Sequence, residues 1–152
     1  MGIAILAPVP AILLKSATDT CAAVGRVAFG TEAWEFFAKV NEEYCEGLPV
    51  LVYATPRYGD PDKLCDPGKV TFRGVYLGLT RAQAGKHPNP AVRPSATIND
   101  TDWACFWEVS DLVHLSKQDR IAVTSLAAEA QKKPLSNGFV PHGPMLVKAA
   151  FL

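Results

Sequence analysis

The sequence lacks most of the features that assign a chain to a specialised class of protein. Its 15 basic and 15 acidic residues cancel, which excludes the strongly basic composition of many nucleic-acid-binding proteins but permits a local basic face. No apolar run reaches the length of about 20 residues that spans a membrane, so we expect no membrane association. The 152 residues are 49% hydrophobic and 20% charged, which is typical of one globular domain covering the whole chain, 1–152.

Cysteine pairs are also missing. The four cysteines lie 20 to 40 residues apart, at Cys21, Cys45, Cys65 and Cys105. Structural zinc sites use closely spaced pairs, and secreted disulfide frameworks are shorter chains with denser cysteines. We therefore expect reduced cysteines, no metal, no cofactor and a cytoplasmic location.

The common catalytic motifs are absent as well. The chain has three histidines, and it contains no G-x-S-x-G, no H-E-x-x-H and no phosphate-binding P-loop. Asp60, Asp62 and Asp66 alternate loosely, but the glycine and the final glutamate of a calcium-binding EF-hand are missing. The sequence names no reaction and no catalytic residue, and it favours a binding module over an enzyme.

The first apolar run covers residues 3–14. A signal peptide also begins with such a run, but no lysine or arginine precedes this one, and Pro8 and Pro10 interrupt it. We therefore predict an extended segment or strand over 3–14, whereas residues 16–30 are small and polar and carry no clear pattern.

Two segments have the pattern of helices. The clearer one begins after Thr31, a plausible N-cap, and ends at Gly47. Its apolar stripe repeats at helical spacing through Trp34, Phe37, Ala38, Asn41, Tyr44 and Cys45. The second covers 121–132, with Ser116 and Asp119 as a variant of the capping box and Pro134 as its end.

Strand patterns occupy the centre and the end of the chain. We predict strands over 48–54, 69–79, 103–109 and 145–151, a short apolar piece over 112–115, and proline-rich loops over 56–68 and 80–101. The alternation of strand 69–79 slips at Gly74, which indicates a β-bulge. Strands that neighbour strands exclude a regular βαβ sheet, so we expect an α+β fold: a small, bent, mainly antiparallel sheet or open β-barrel flanked by two helices.

Charge is segregated along the chain. Residues 56–94 hold seven basic residues against three aspartates, while residues 31–47 hold five glutamates against one lysine. The basic stretch predicts a face for a polyanion, and the alternative is an ordinary solvated surface.

Seven aromatic residues lie on or beside the central strands: Tyr53, Tyr58, Phe72, Tyr76, Trp103, Phe106 and Trp107. Most of them must fill the core, because they occur on both faces of the predicted strands. We expect at most two to face a ligand, Tyr58 and Trp103, because loops flank both. The predicted binding face consists of Arg57, Tyr58, Arg73, Lys86, Arg93 and Trp103.

The order of the central segments resembles the PUA-like superfamily, which includes the ASCH and EVE domains. The resemblance rests on PVLVYATP at 49–56, on G-K-V-T-F at 68–72, which begins VTFRGVYLGL at 70–79, and on WACFWEVSDLVHL at 103–115. It covers about residues 31–115 and implies a bent β-barrel that binds RNA, or DNA with a modified base, between the barrel and its helices.

The resemblance also implies an enzymatic alternative. Some ASCH-like members resemble nucleoside amidohydrolases or nucleases, which use a lysine, a hydroxyl and an acid in that cleft. Lys15, a hydroxyl at Ser16, Thr18 or Thr20, and Glu108 are the matching residue types, but their spacing is not that of the family, so no role is carried over. The leading hypothesis is a module that binds nucleic acid or a nucleotide. The alternatives are a small nucleoside or amide hydrolase and an oligomeric protein-interaction module.

Overall fold

The computed structural model describes residues 2–44, 47–97 and 102–152. It has two α-helices, α1 (Ala11–Val24) and α2 (Trp34–Tyr44). The strands are β1 (Gly2–Pro10), β2 (Val27–Thr31), β3 (Pro49–Thr55), β4 (Lys69–Val70), β5 (Phe72–Arg81), β6 (Cys105–His114), β7 (Ile121–Ala122), β8 (Ala127–Ala128) and β9 (Met145–Ala149).

Seven of these strands form one mixed sheet in the order β2-β6-β5-β3-β1-β9-β8, and β4 pairs with β7 in a separate ribbon. Only the β1–β3 pair is parallel among the described strand pairs. The prediction of a mainly antiparallel sheet with two helices is confirmed. In the described part of the chain β2 and β8 remain the two edges, so the sheet does not close into a barrel.

The sheet is bent along β5. Its pairing with β6 shifts register between Arg73 and Val75 and again between Tyr76 and Gly78, so the bulge predicted at Gly74 is confirmed. A Cβ atom at Gly74 would overlap the Val109 side chain, which explains why this position holds glycine. Each bulge bends and twists its strand, which brings the edge strand β2 toward β1.

One apolar core lies between β1 and β2, on one face of the sheet. It includes Val9 of β1 and Phe29 of β2, which are separated by three strands in the sheet order. Phe37 of α2 belongs to this core, and its ring stacks on Trp107 at a centroid distance of 5.4 Å. A second core covers the opposite face of the sheet and is built around Leu6, Leu51, Leu126 and Val147.

The extended segment predicted over 3–14 is correct only as far as Pro10, because residues 11–24 form α1. The buried positions of α1 follow helical spacing at Ala11, Leu14, Ala17 and Cys21. This apolar stripe is made largely of small residues, so its hydrophobic signal is weak beside the polar Lys15-to-Thr20 stretch. Gly25 ends the helix in the left-handed conformation with φ 87°.

The helix predicted over 121–132 is wrong. Residues 121–122 pair with β4, residues 127–128 pair with β9, and a 3₁₀ turn (Val123–Ser125) joins them. The Ser116 hydroxyl bonds to the Asp119 carboxylate at 2.7 Å, but this pair closes a turn instead of starting a helix. Two short edge pairings and the burial of Val123 and Leu126 override the helical pattern, as tertiary contacts often do.

The other predicted elements are present with shifted ends. The predicted strands correspond to β3, β4 with β5, β6 and β9, and β6 also takes in most of the apolar piece at 112–115. Helix α2 matches the first predicted helix, and Cys45, the last residue of its stripe, lies outside the described residues. The predicted loop 80–101 begins at residue 82 and contains two 3₁₀ turns, Pro90–Val92 and Ser95–Thr97. Its residues 98–101 lie outside the described part.

Candidate functional site

A cleft of about 540 Å³, the first cleft, lies between the C-terminal end of β1 and the edge strand β2. Its volume falls in the usual range for small-ligand sites. Its apolar lining comes from the end of β1, from α1, from β2 and from β6. The lining residues are Pro8, Val9, Pro10, Leu13, Phe29, Gly30, Arg57, Tyr58, Arg93, Ala96, Thr97, Trp103 and Trp107.

One wall of the first cleft is a tight turn, the Pro56 turn (residues 56–59). The Gly59 N–H closes it by donating to the Pro56 carbonyl at 2.8 Å. Tyr58 has φ 66°, in the left-handed region that glycine or asparagine usually occupies at this turn position. The Tyr58 side chain is 71% exposed, and the Arg57 guanidinium lies 4.9 Å from its ring centroid. A strained backbone thus presents an exposed cation–aromatic pair at the mouth of the cleft.

The loop that follows the Pro56 turn is held by Asp60. Its carboxylate accepts the Leu64 N–H at 2.8 Å and the Cys65 N–H at 2.9 Å. Burial acts to raise the pKa of Asp60, but the hydrogen bonds from Cys65 and Leu64 together outweigh it, and the pKa is lowered. The charged carboxylate therefore stabilises the loop.

The opposite wall comes from residues 82–97 and from Trp103. Arg93 donates from Nη1 to the Ala28 carbonyl at 2.6 Å, and its guanidinium lies 4.8 Å from the centroid of the Phe106 ring. The Trp103 ring lies against the backbone of Gly30, so closely that a Cβ atom there would overlap it. Both side chains are therefore held against the edge strand β2.

A second cleft, of about 560 Å³, adjoins the first. The two clefts share Arg93, Thr97 and Trp103. The second cleft has its own cation, Lys86, and its own aromatic side chain, Phe106. Among the described residues, no carboxylate lines either cleft, so the fixed charges at both are cationic.

Beneath the second cleft lies a buried polar cluster around Glu108, whose side chain is 7% exposed. Glu108 accepts a hydrogen bond from the Thr80 hydroxyl, pairs with Arg26 at 3.2 Å and contacts His87 Nε2 at 3.1 Å. His87 Nδ1 accepts the Asn89 N–H at 2.8 Å, so Nε2 carries the ring proton and donates it to Glu108. Both nitrogens of His87 are thus engaged, and the cluster positions the 82–97 segment instead of offering a base to a ligand.

The structure brings five of the six predicted face residues to the two clefts. Arg57 and Tyr58 line the first, Lys86 lines the second, and Arg93 and Trp103 line both. Arg73 is exposed on β5, opposite Leu51 and Val113 in the neighbouring strands, and lines neither cleft. Of the seven central aromatic residues, only Tyr58 and Trp103 are not buried, and the buried ones are Tyr53, Phe72, Tyr76, Phe106 and Trp107.

The lysine and the acid named for a hydrolase do not converge. Lys15 pairs with Asp19 at 3.8 Å and lines a smaller cleft with Thr18, Asp62 and His114. Glu108 does not line that cleft and is enclosed by its own partners. Burial, a hydrogen bond to Asp60 and the charge of Asp60 raise the pKa of Cys65 to about 11, so this thiol is protonated at neutral pH and is a poor nucleophile.

Three further findings bear on the other expectations. Across residues 2–44, 47–97 and 102–152, no three His, Cys, Asp or Glu side chains are grouped to hold a metal ion. No helix in these ranges is long and apolar enough to cross a membrane. The larger exposed apolar side chains come from several elements: Ile12, Val24, Trp34, Tyr58, Val113, Val140 and Phe151. The oligomeric protein-interaction module therefore stays a prediction.

Sequence reasoning missed the lining that comes from the N-terminal segment. Pro10 ends β1 and Leu13 lies on the first turn of α1, and both line the first cleft. The signal was the Pro-x-Pro at 8–10 between an apolar strand and a run of helix-forming residues. It was overlooked because one extended segment had been predicted over the whole stretch.

Comparison with known proteins adds no assignment, since no family model matches the chain and no curated protein matches it.

Proposed function

We propose that the protein binds nucleic acid or a nucleotide at the first cleft, with a base stacked on aromatic side chains and phosphate oxygens paired with arginine. The observation that carries the proposal is the convergence of Arg57, Tyr58, Arg93 and Trp103 on one cleft. The PUA-like resemblance supports the same class of ligand: RNA, or DNA with a modified base.

The chemistry of the lining favours a planar anion. An exposed tyrosine and an indole ring offer faces on which a base stacks, and such stacking is sequence-tolerant because every base has a π-face. Arginine presents its donors in a planar fork that suits phosphate oxygens. Arg57 supplies this charge at the open mouth of the cleft, where its side chain is exposed.

Tryptophan fluorescence is the direct test, because Trp103 and Trp107 line the first cleft. The third tryptophan, Trp34, is 54% exposed on α2 and does not line the cleft, so a Trp34→Phe background removes its signal. The titrants are short RNA and DNA oligomers and free nucleosides, at low and moderate salt. We expect quenching by oligomers that weakens as salt is raised, because phosphate contacts release counterions.

Arg57→Ala and Arg73→Ala form a matched pair of variants, each of which removes one exposed arginine. Arg57→Ala is expected to lower the slope of log affinity against log salt by about 0.7 for a single strand, the value of one phosphate contact. Arg73→Ala should leave affinity and slope unchanged. A flat fluorescence response, or equal losses in both variants, would rule out binding at the first cleft.

A further inference from the structure

The second cleft has the chemistry of the first but is a separate compartment. Each cleft has its own cation, Arg57 in the first and Lys86 in the second, and Trp103 borders both. Their volumes, about 540 and 560 Å³, are nearly equal. A site for one small ligand needs only one such compartment, so the duplication requires an explanation.

The two compartments are separated by a wall of side chains. Arg93, Thr97 and Trp103 line both clefts. Of these, Arg93 and Trp103 have planar side-chain groups. The Arg93 guanidinium is fixed by its bond to the Ala28 carbonyl and by the Phe106 ring. Trp103 is fixed by its contact with Gly30. The wall is therefore rigid, and a ligand that enters both clefts must pass around it.

We infer that the second cleft binds the nucleotide adjacent to the one in the first cleft, so that the ligand is a single strand of two or more nucleotides that straddles the Arg93–Trp103 wall. This inference rests on the proposed function. Successive bases in a duplex stay stacked on each other, whereas those of a single strand can be splayed apart and stacked on aromatic or guanidinium planes. A wall that carries planar groups between two clefts fits a single strand whose two bases are splayed apart, one in each cleft.

Lys86 has a specific part in this arrangement. Its side chain is exposed and lines only the second cleft, where a compact ammonium charge pairs with a phosphate as a point charge. The other polar side chains at this cleft are His87, Arg93 and the hydroxyls of Thr20, Ser95 and Thr97. The second nucleotide therefore meets a cation, hydroxyl groups and the planar groups of Arg93 and Trp103.

The test compares three ligands on the wild-type protein: a nucleoside 5′-monophosphate, the 5′-phosphorylated dinucleotide of the same base, and a perfectly paired short duplex. Fluorescence or calorimetric titration gives each affinity at one salt concentration. The dinucleotide is expected to bind roughly 10- to 100-fold more tightly than the mononucleotide, because one more base stacks. The duplex is expected to bind more weakly than a single strand of equal length.

Lys86→Ala and Lys69→Ala separate the two compartments. Lys69 is an exposed lysine on β4 that lines neither cleft, so its loss is a matched control. Lys86→Ala is expected to lower dinucleotide affinity while leaving mononucleotide affinity unchanged, and Lys86→Glu is expected to lower dinucleotide affinity further. Circular dichroism checks that both Lys86 variants are folded.

The outcomes distinguish the inference from the proposed function. If the mononucleotide binds and the dinucleotide binds no more tightly, the first cleft binds a nucleotide, but the inference that a single strand occupies both clefts is wrong. The same holds if the duplex matches the single strand, or if the Lys86 variants weaken mononucleotide and dinucleotide equally. If no nucleotide or oligomer binds, the proposed function and this inference fall together.

Discussion

The two walls of the first cleft present similar chemistry but are built differently. The Pro56 turn is held by local bonds, from Gly59 to Pro56 and from the Leu64 and Cys65 amides to Asp60. The wall formed by residues 82–97 and Trp103 is held by partners far away in the chain. Its bond from Arg93 to Ala28 joins residues 65 positions apart.

Because of this difference, substitutions in the two walls are expected to differ in their effects on ligand affinity and on folding. Side chains on the Pro56 turn project from a locally closed loop, so their removal is expected to change ligand affinity more than folding. Side chains of the 82–97 wall also hold that segment against β2 and β6, so substitutions there change folding and the site together. The turn is the better place to test function, and the wall is the better place to test the architecture.

The largest expected effect comes from Glu108→Ala, which removes the acceptor at the base of the 82–97 wall. It leaves His87 and Thr80 without their buried partner, and we expect a loss of about 3 kcal/mol in the free energy of unfolding. Urea denaturation measures the change, and Glu35→Ala, at an exposed glutamate of α2, should stay within about 0.5 kcal/mol of wild type. A loss below about 1 kcal/mol would show that the cluster does not anchor this wall.

A smaller effect is expected from Asp60→Ala, which removes the acceptor that holds the loop after the Pro56 turn. Two amides lose a charged acceptor, so stability should fall by about 1–2 kcal/mol. The fold lowers the pKa of Asp60 from its ordinary value of about 3.9. The stabilisation is therefore complete well above pH 4 and is lost as pH falls through the lowered pKa.

The pH dependence of unfolding checks this sign. The difference between wild type and Asp60→Ala should be constant near neutral pH and shrink below about pH 4. Asp62→Ala, at an exposed aspartate of the same loop, serves as the control. A difference that grows on acidification would contradict the lowered pKa.

The smallest expected change in stability comes from Tyr58→Gly, and its sign is the informative part. Glycine adopts φ 66° without strain, so stability should be unchanged or higher by up to about 1 kcal/mol. Ligand affinity should fall roughly 5- to 100-fold because the stacking ring is gone. Tyr58→Phe keeps both ring and strain and should resemble wild type in both measurements. Loss of stability together with affinity in Tyr58→Gly would remove the distinction between the two walls.

Much of the fold was predictable where several local signals agree. Helix α2 has the predicted apolar stripe, but Thr31, the predicted N-cap, ends β2, and its hydroxyl accepts the Ala33 N–H at 2.9 Å, ahead of the first helical residue. In β5, the slip of alternation at Gly74 marked a real register shift. Helix α1 was missed because its buried stripe is made mainly of small residues. Segment 121–132 was predicted as a helix because the pairings of Ile121 with Val70 and of Ala128 with Val147 leave no local trace.

The candidate site was predictable as a set of residues but not as an arrangement. The excess of cations and the loop positions of Tyr58 and Trp103 selected five residues that line the clefts. Arg73 met the same criteria and lies elsewhere, because strand pairing sets the direction of its side chain. The engagement of His87 with Glu108 was not foreseen, since it joins two elements whose contact depends on the bend of β5.

By itself, the sequence determined five elements: α2, β3, β5, β6 and β9. It also determined the excess of cations over residues 56–94 and the aromatic content of the central strands. Hydrophobic period, turn residues and side-chain chemistry are local properties, so they can be read without the fold. Only the tertiary structure decided that β2 approaches the end of β1, that Arg57 and Arg93 share a cleft, and that a second cleft adjoins it. Those outcomes depend on two register shifts in one strand and on bonds between residues far apart in the chain. Their free energies become favourable only once the whole sheet has formed.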